Sequence, residues 1–179
     1  MNIKLILVPL KSENIEMFKK DMQEAFQYGY EIEFGASDEL ILPEKDIDNS
    51  LYANGAEAYQ AIVNGEFFGG IVITVDNETY HNHLDFLFVK VGCQGTGVGQ
   101  ALWKAIENLH PATKVWETCT PYFEKRNIHF YVNKCGFHIV EFYNPLHPDP
   151  NMPETVGGIA ADEGDYFFRF EKNMNCIHI

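Results

Sequence analysis

The spacing of apolar residues predicts that strands and helices alternate along this chain. Runs of apolar or alternating character predict strands over 3–10, 56–63, 67–75 and 84–91. Helical spacing predicts one helix over 14–28 and a second that starts at Pro43 and includes 46–51. The pair Asn64-Gly65 predicts a tight hairpin between the second and third strands, and Asp76-Asn77 predicts another turn.

The period of the pattern changes after residue 91. From Val98 to Leu109 apolar residues recur at positions i, i+3, i+4, i+7, i+8 and i+11, which predicts an amphipathic helix that stops before Pro111. A short strand over 114–118 follows, and Pro121 is expected to open a helix that closes at Gly136. Strands are predicted over 137–143 and 166–171. The segment 144–165 holds four prolines and three glycines, and it predicts a long surface loop.

This order of elements predicts a single α+β domain over residues 1–179, with a mixed sheet and helices on both of its faces. Hydrophobic residues make up 46% of the 179 residues, which is enough to build a substantial core. We found no internal repeat and no linker that would divide the chain.

Charge and cysteine content restrict the function. A net charge of -13 argues against a nucleic-acid partner and favours a cationic small molecule or a basic peptide. The four cysteines lack metal-site or redox spacing, which is typical of reduced thiols in the cytosol. The apolar run near the N-terminus is too short for a membrane span and lacks a cleavage site. We therefore expect a cytoplasmic protein without a membrane partner.

A glycine-rich turn joins the strand predicted over 84–91 to the helix that starts at Val98. Free amides at a helix N-terminus bind phosphate, and glycines let the backbone approach an anion closely. The spacing is neither that of a Walker loop nor the G-x-G-x-x-G of dinucleotide folds. From the glycines alone, a turn without any ligand is an equal alternative.

Two motifs in this region carry a resemblance to a known family. Gln94-Gly-Thr-Gly-Val-Gly99 has the form Gln/Arg-x-x-Gly-x-Gly/Ala and follows a hydrophobic strand that ends in Val89. A second block, 127–137, has Phe-Tyr followed by Gly136-Phe137 at a helix end. Together, over 84–110 and 120–143, they resemble the GCN5-related N-acetyltransferases. The resemblance implies a single-domain fold with six or seven mostly antiparallel strands, splayed where acetyl-CoA binds, and it implies no metal.

The resemblance also assigns cofactor contacts. The main chain of Val89 and Val91 would hold the pantetheine arm like another strand. Glu124 stands where the family often has a cofactor-binding asparagine, and Asn127 would take over part of that role. The amides that would wrap the pyrophosphate belong to Gln94, Gly95, Thr96, Gly97, Val98, Gly99 and Gln100.

The proton transfers of such a reaction suggest three catalytic residues. Freeing the lone pair of an alkyl amine at neutral pH costs roughly 4.6 kcal/mol, so the reaction needs a base, and the leaving thiolate needs an acid. Tyr131 matches the family's acid, and His83 or Asp85, on one face of a strand, would take the amine proton. The alternatives are a core role for Tyr131 and simple surface polarity for His83. A metal at the His-x-His pair would lack an obvious third ligand.

The acceptor is less constrained. We expect direct attack by a small cationic amine, such as a polyamine, an amino sugar or an amino-acid derivative. The alternatives are a protein N-terminus or lysine as acceptor, or a silent acetyl-CoA sensor. A route through an acetylated Cys119 or Cys93 is a further alternative. If the strand over 166–171 lies at a sheet edge, it could pair across a homodimer.

Overall fold

The fold is a seven-stranded sheet between two helical layers. A computed structural model describes residues 4–151 and 166–174. The strands are β1 (Leu5–Pro9), β2 (Ala56–Val63), β3 (Glu66–Thr74), β4 (His81–Val89), β5 (Val115–Pro121), β6 (His138–Tyr143) and β7 (Phe167–Asn173). The helices are α1 (Ile15–Phe34), α2 (Glu44–Leu51), α3 (Val98–Leu109) and α4 (Lys125–His129), which continues as a π-helix over Phe130–Cys135.

The sheet has the strand order β1-β2-β3-β4-β5-β7-β6. All neighbouring strands in this order are antiparallel except β4 and β5. That parallel pair is short, because only His81–His83 of β4 pair with Val115–Glu117 of β5. The expectation of a mixed, mostly antiparallel sheet that opens at its centre is therefore confirmed.

Each face of the sheet buries one hydrophobic core. On one face, α1 and α2 place Phe18, Met22 and Ile47 against Val72 and Phe88. On the other face, α3 and the π-helix bury a second cluster against β3, β4, β5 and β7. That cluster includes Ile71, Leu84, Leu102, Trp103, Ile106, Trp116, Tyr131, Phe137 and Phe170. The helices on both faces fix the position of the central opening.

Several predicted boundaries are wrong. The helix predicted over 14–28 continues to Phe34. Pro121 ends β5, where it pairs with Phe167, and the next helix begins only at Lys125. Proline suits both a strand end and a first helical turn, so its identity alone does not decide between them. The strand predicted over 84–91 runs from His81 to Val89, because the amide of Cys93 closes a turn on the carbonyl of Lys90 at 3.0 Å.

The predicted helix end at Gly136 is confirmed. Gly136 adopts φ 80°, in the left-handed region, and the Phe137 amide donates to the Tyr131 carbonyl at 2.9 Å. This bond spans one residue more than the bond that closes an α-helix on a left-handed glycine, because the helix that ends here is a π-helix. Phe137 is fully buried beyond the cap, so the chain is fixed where it leaves the helix.

The strand proposed for dimer pairing does not lie at an edge. β7 is flanked by β5 and β6, and the described edges of the sheet are β1 and β6. The prediction that residues 166–171 offer a free edge is therefore wrong. Of the predicted loop over 144–165, residues 152–165 lie outside the described part. Within 4–151 and 166–174, no helix combines the length and the apolar character needed to cross a membrane.

The packing of α1 on β3 predicts opposite effects for two glycine substitutions. A Cβ at Gly70 would meet the Phe18 ring at 2.2 Å, whereas a Cβ at Gly29 in α1 has nothing within 4 Å. We expect Gly70→Ala to lower the free energy of unfolding by about 1–3 kcal/mol because the core is overpacked. Gly29→Ala should raise it by about 0.5–1 kcal/mol. Urea denaturation of both variants checks this, and equal effects would contradict the packing described.

Candidate active site

The central feature of the site is the gap between β4 and β5. Their ladder ends at the pair His83 and Glu117. The next β5 residue, Thr118, donates its hydroxyl to the Leu84 carbonyl at 2.8 Å, so a side chain replaces the backbone ladder there. Asp85 is skipped in the pairing of β4 with β3, which marks a bulge. A bulge bends a strand, and here it lies where β4 leaves β5.

A cavity of about 980 Å³ lies beside this gap, along the last residues of β4. The residues that line it include none from β5 and neither His83 nor Asp85. One wall is formed by α1, with Phe26 and Gly29 among its lining residues, and the floor by Leu87–Val89 of β4. The opposite wall comes from the glycine-rich turn, α4 and the π-helix. The cavity is thus bordered by both motifs that the sequence singled out.

The N-terminus of α3 opens on this cavity. Its N-cap is Gly97, at φ 84°, and no side chain caps the helix. The first hydrogen bond of the helix runs from the Ala101 amide to the Gly97 carbonyl, so the amides before it have no partner within the helix. Gly99 lies in the first turn, beside the ring of Phe130. The arrangement suits an anion, because unpaired amides and the helix dipole both favour negative charge.

The structure brings most of the predicted cofactor residues to one cavity. Seven of them line it: Val89, Gln94, Gly95, Gly97, Gly99, Gln100 and Asn127. The other three do not. Val91 lies in the turn beyond β4, the Thr96 hydroxyl donates to the Cys93 carbonyl, and the Val98 side chain is buried in the core. The main-chain amides of these three remain candidates for binding.

Sequence reasoning missed a basic rim on the cavity. Lys125, Arg126, His129 and Lys134 all line it from α4 and the π-helix. Four basic residues within ten positions are notable in a chain of net charge -13, so the cluster could have been noticed in the sequence. It supplies positive charge where we had expected the helix amides alone to act.

Tyr131 lies at the inner end of the cavity. Its side chain is 8% exposed and packs on Phe137 and Phe170. Burial raises the pKa of the phenol, and the nearby Cys135 acts in the same direction. The hydroxyl therefore stays protonated at neutral pH and is available as a hydrogen-bond donor.

His83 and Asp85 form a hydrogen-bonded pair on the other side of the gap. His83 Nδ1 lies 2.8 Å from Asp85 Oδ1, and the second carboxylate oxygen accepts the Thr74 hydroxyl at 2.8 Å. Burial disfavours the charged imidazole, but the interactions with Asp85 and Cys119 outweigh it and raise the pKa of His83 to about 10. The resting form at neutral pH is therefore an imidazolium held by a carboxylate.

The sheet face that carries His83 continues as a charged strip across β5, β7 and β6. Arg169 lies at its centre and contacts Glu117 at 3.1 Å, Glu141 at 3.2 Å and Glu171. His81 also contacts Glu117, at 3.1 Å. The sequence pattern did not bring Arg169 and these three glutamates together. Arg169 and Glu171 alternate along β7, which signals a shared face but not the neighbours across it.

Two groups of possible metal ligands lie beside the histidines, and the sequence did not predict them. His83, Glu117 and Cys119 each offer a side-chain donor atom within 4.8 Å of the others. His81, Glu117 and Glu171 form a second such group. In both groups Glu117 is already held by Arg169, and His83 is held by Asp85. His83, Asp85 and Cys119 are called the His83 cluster below.

Comparison with known proteins identifies the family. Residues 15–137 match the model of the Acetyltransferase (GNAT) family, and the chain belongs to this family. It is 44% identical over 176 residues to the uncharacterized protein YrkN of Bacillus subtilis (strain 168), covering 96% of this chain and 94% of YrkN.

Solved structures share the fold at low identity. The ribosomal-protein-S18-alanine N-acetyltransferase of Escherichia coli is 12% identical with a TM-score of 0.67, over 95% of this chain and 94% of that one. The spermidine N-acetyltransferase of Vibrio cholerae, solved with CoA and spermine, is 12% identical with a TM-score of 0.66, over 96% of both chains. One acts on a protein and the other on a small amine, so the fold does not determine the acceptor.

The His83–Asp85 contact predicts a shifted titration. We expect the His83 imidazole to titrate near pH 10 and Asp85→Asn to lower its pKa, because the carboxylate that stabilises the imidazolium is removed. Glu117→Gln is the matched control and should change the His83 titration much less. NMR titration of the ring protons measures both, and an equal effect of the two variants would contradict the assignment.

The raised pKa of His83 also predicts that the folded protein loses stability as pH rises. The folded pKa of His83 is raised above the usual value of 6.5 to about 10. Its contribution to stability is therefore fully present below about pH 6.5 and is lost as pH rises through about 10.

Proposed function

We propose that this protein is an acetyl-CoA-dependent N-acetyltransferase that moves an acetyl group to a primary amine by direct attack. The observation that carries the proposal is the β4–β5 gap, which lies between an uncapped helix N-terminus and two candidate proton-transfer groups. A thioester held in this gap would meet Tyr131 on one side and the His83 cluster on the other.

Cofactor binding is supported by the two ends of the cavity. The free amides at the start of α3 and the basic rim of α4 and the π-helix both favour phosphate groups. The exposed backbone of β4 beyond His83 offers hydrogen bonds to an extended pantetheine arm, as an added strand would. Glu124 also lines the cavity, and burial raises the pKa of its carboxyl.

The acid step rests on Tyr131. Transfer of its proton to a thiolate is uphill, and burial makes it more so because it raises the phenol pKa. The hydroxyl therefore acts mainly by donating a hydrogen bond to the sulfur as negative charge develops there. Preorganised donors of this kind stabilise a transition state without needing full proton transfer.

The base step rests on His83 and Asp85. Neutral His83 can take the amine proton through Nε2, because Nδ1 is held by Asp85. The raised pKa means that His83 must first lose its own proton at neutral pH. An ammonium substrate close by would help, since a second positive charge lowers the pKa of an imidazolium.

The acceptor we propose is a small cationic amine. Glu117, Glu141 and Glu171 surround one arginine, so the strip beside the His83 cluster carries excess negative charge. Such a strip attracts a polyamine, an amino sugar or an amino-acid amine by long-range electrostatics. A panel of amines and basic peptides in a free-thiol release assay tests this, and activity on peptides alone would overturn it.

Removing the Tyr131 hydroxyl should separate chemistry from binding. We expect Tyr131→Phe to lower kcat about 100-fold, because the thiolate loses its donor. The affinity for acetyl-CoA should change little, since the ring stays in place. Tyr122→Phe, on an exposed tyrosine of the loop before α4, is the control and should leave kcat unchanged. Equal turnover in all three proteins would remove Tyr131 from the mechanism.

The role of His83 predicts a change in the pH profile. We expect kcat/KM of the parent enzyme to rise with pH as His83 loses its proton, and His83→Gln to lower it by about 100-fold at the plateau. The acidic limb that belongs to His83 should disappear in that variant. His81→Gln, which removes the neighbouring exposed histidine, should keep the limb. A His83→Gln enzyme that retained the parent's profile would show that another group accepts the proton.

A further inference from the structure

Cys119 completes an arrangement that the proposed transfer to an amine does not require. It is partly exposed on β5, two residues beyond Glu117, at the first positions where β5 has left β4. Side chains two apart on a strand share a face, so Cys119 projects to the same side as Glu117 and the His83 ring. Its sulfur lies within 4.8 Å of a ring nitrogen of His83.

Cys119, His83 and Asp85 lie in the order of a nucleophile, a base and a carboxylate that orients the base. Asp85 holds Nδ1 of His83 at 2.8 Å and is itself fixed by Thr74 at 2.8 Å. The remaining ring nitrogen, Nε2, is the one free to face Cys119. A thiol beside an imidazole that is oriented by a carboxylate is activated for attack on acyl groups.

Cys119 lies where β5 has separated from β4. Thr118, its neighbour in β5, bonds the Leu84 carbonyl where the strands separate. A thioester held in the gap would lie along the segment of β5 that carries this sulfur. Cys135, by contrast, is buried, and Cys93 lies in the glycine-rich turn.

We propose that Cys119 is a self-acetylation site, and this rests on the proposed function. In the absence of an amine, the Cys119 thiolate attacks the thioester carbonyl of bound acetyl-CoA. The carbon–sulfur bond to CoA breaks, an acetyl–sulfur bond to Cys119 forms, and CoA leaves as a thiolate that takes up the proton released from Cys119. One thioester replaces another, so no oxidant or further reactant is needed.

Acetylation of Cys119 would be reversible and would slow the acetylation of amines. Because the bond broken and the bond made are of the same type, the reaction is readily reversed by free CoA. The acetyl group on Cys119 would stand against His83 on the face where the amine has to arrive. Acetylated protein is therefore slower in amine acetylation, and the ratio of acetyl-CoA to CoA sets its amount.

Mass spectrometry tests the proposal directly. The full chain is incubated with acetyl-CoA carrying a labelled acetyl group and no amine, and the labelled peptide is mapped. We expect acetyl on Cys119 at least about tenfold faster than on Cys93, and its removal by added CoA. His81→Gln, which leaves both cysteines and the glycine-rich turn unaltered, should label like the parent. Cys119→Ser should lose the label, and the parent denatured in urea should lose the preference for Cys119.

The outcomes are distinguishable from those of the proposed function. A protein that acetylates amines but carries no acetyl on Cys119 overturns this proposal and leaves the function intact. Equal labelling of Cys93 and Cys119 also overturns it, since that pattern is the one expected from unassisted acylation. A protein that neither binds acetyl-CoA nor acetylates any amine contradicts both.

Discussion

The whole site depends on the early end of the hydrogen-bond ladder between β4 and β5. The two strands pair over three residues. The Thr118 hydroxyl then donates a hydrogen bond to the Leu84 carbonyl, where a backbone amide would donate in a continuing ladder. Backbone groups that leave a ladder need other partners, so the gap favours an extended ligand over an empty sheet. The helices on each face hold the gap open, because α1 with α2 and α3 with the π-helix anchor in separate cores.

The groups around the gap determine which charges and proton donors a bound ligand would meet. The start of α3 and the basic rim offer positive charge at its outer part, and Tyr131 lies at the inner end. On the opposite sheet face, the His83 cluster borders a strip rich in glutamate. Under the proposed function, a polyanionic donor and a cationic acceptor would meet from regions of opposite charge. A chain of net charge -13 would then still offer a site to acetyl-CoA.

Short sequence patterns predicted most bounds of the helices closest to the glycine-rich turn. The period of apolar residues located α3 to its observed ends, and Gly136 correctly marked the end of the π-helix. Proline was ambiguous, because Pro121 closes a strand as readily as it opens a helix. The π-helical form of 130–135 has no simple sequence signal, since it depends on how the helix packs against the sheet.

Long-range neighbours were the main limit on predicting the site. Arg169 meets Glu117 and Glu141 only because β7 inserts between β5 and β6, and chain order places β6 before β7. The same insertion removed the edge strand that we had expected to pair in a dimer. Cys119 reaches His83 through the parallel pairing of β4 with β5, which no spacing in the sequence reveals.

Hydrogen exchange of the backbone amides, followed with and without acetyl-CoA, tests the central claim most directly. If the cofactor occupies the β4–β5 gap, protection should concentrate in 85–100, which includes the end of β4, the glycine-rich turn and the start of α3. The edge strands β1 and β6 should exchange as before. Unchanged exchange in 85–100 at saturating acetyl-CoA, or protection confined to other segments, would contradict the account.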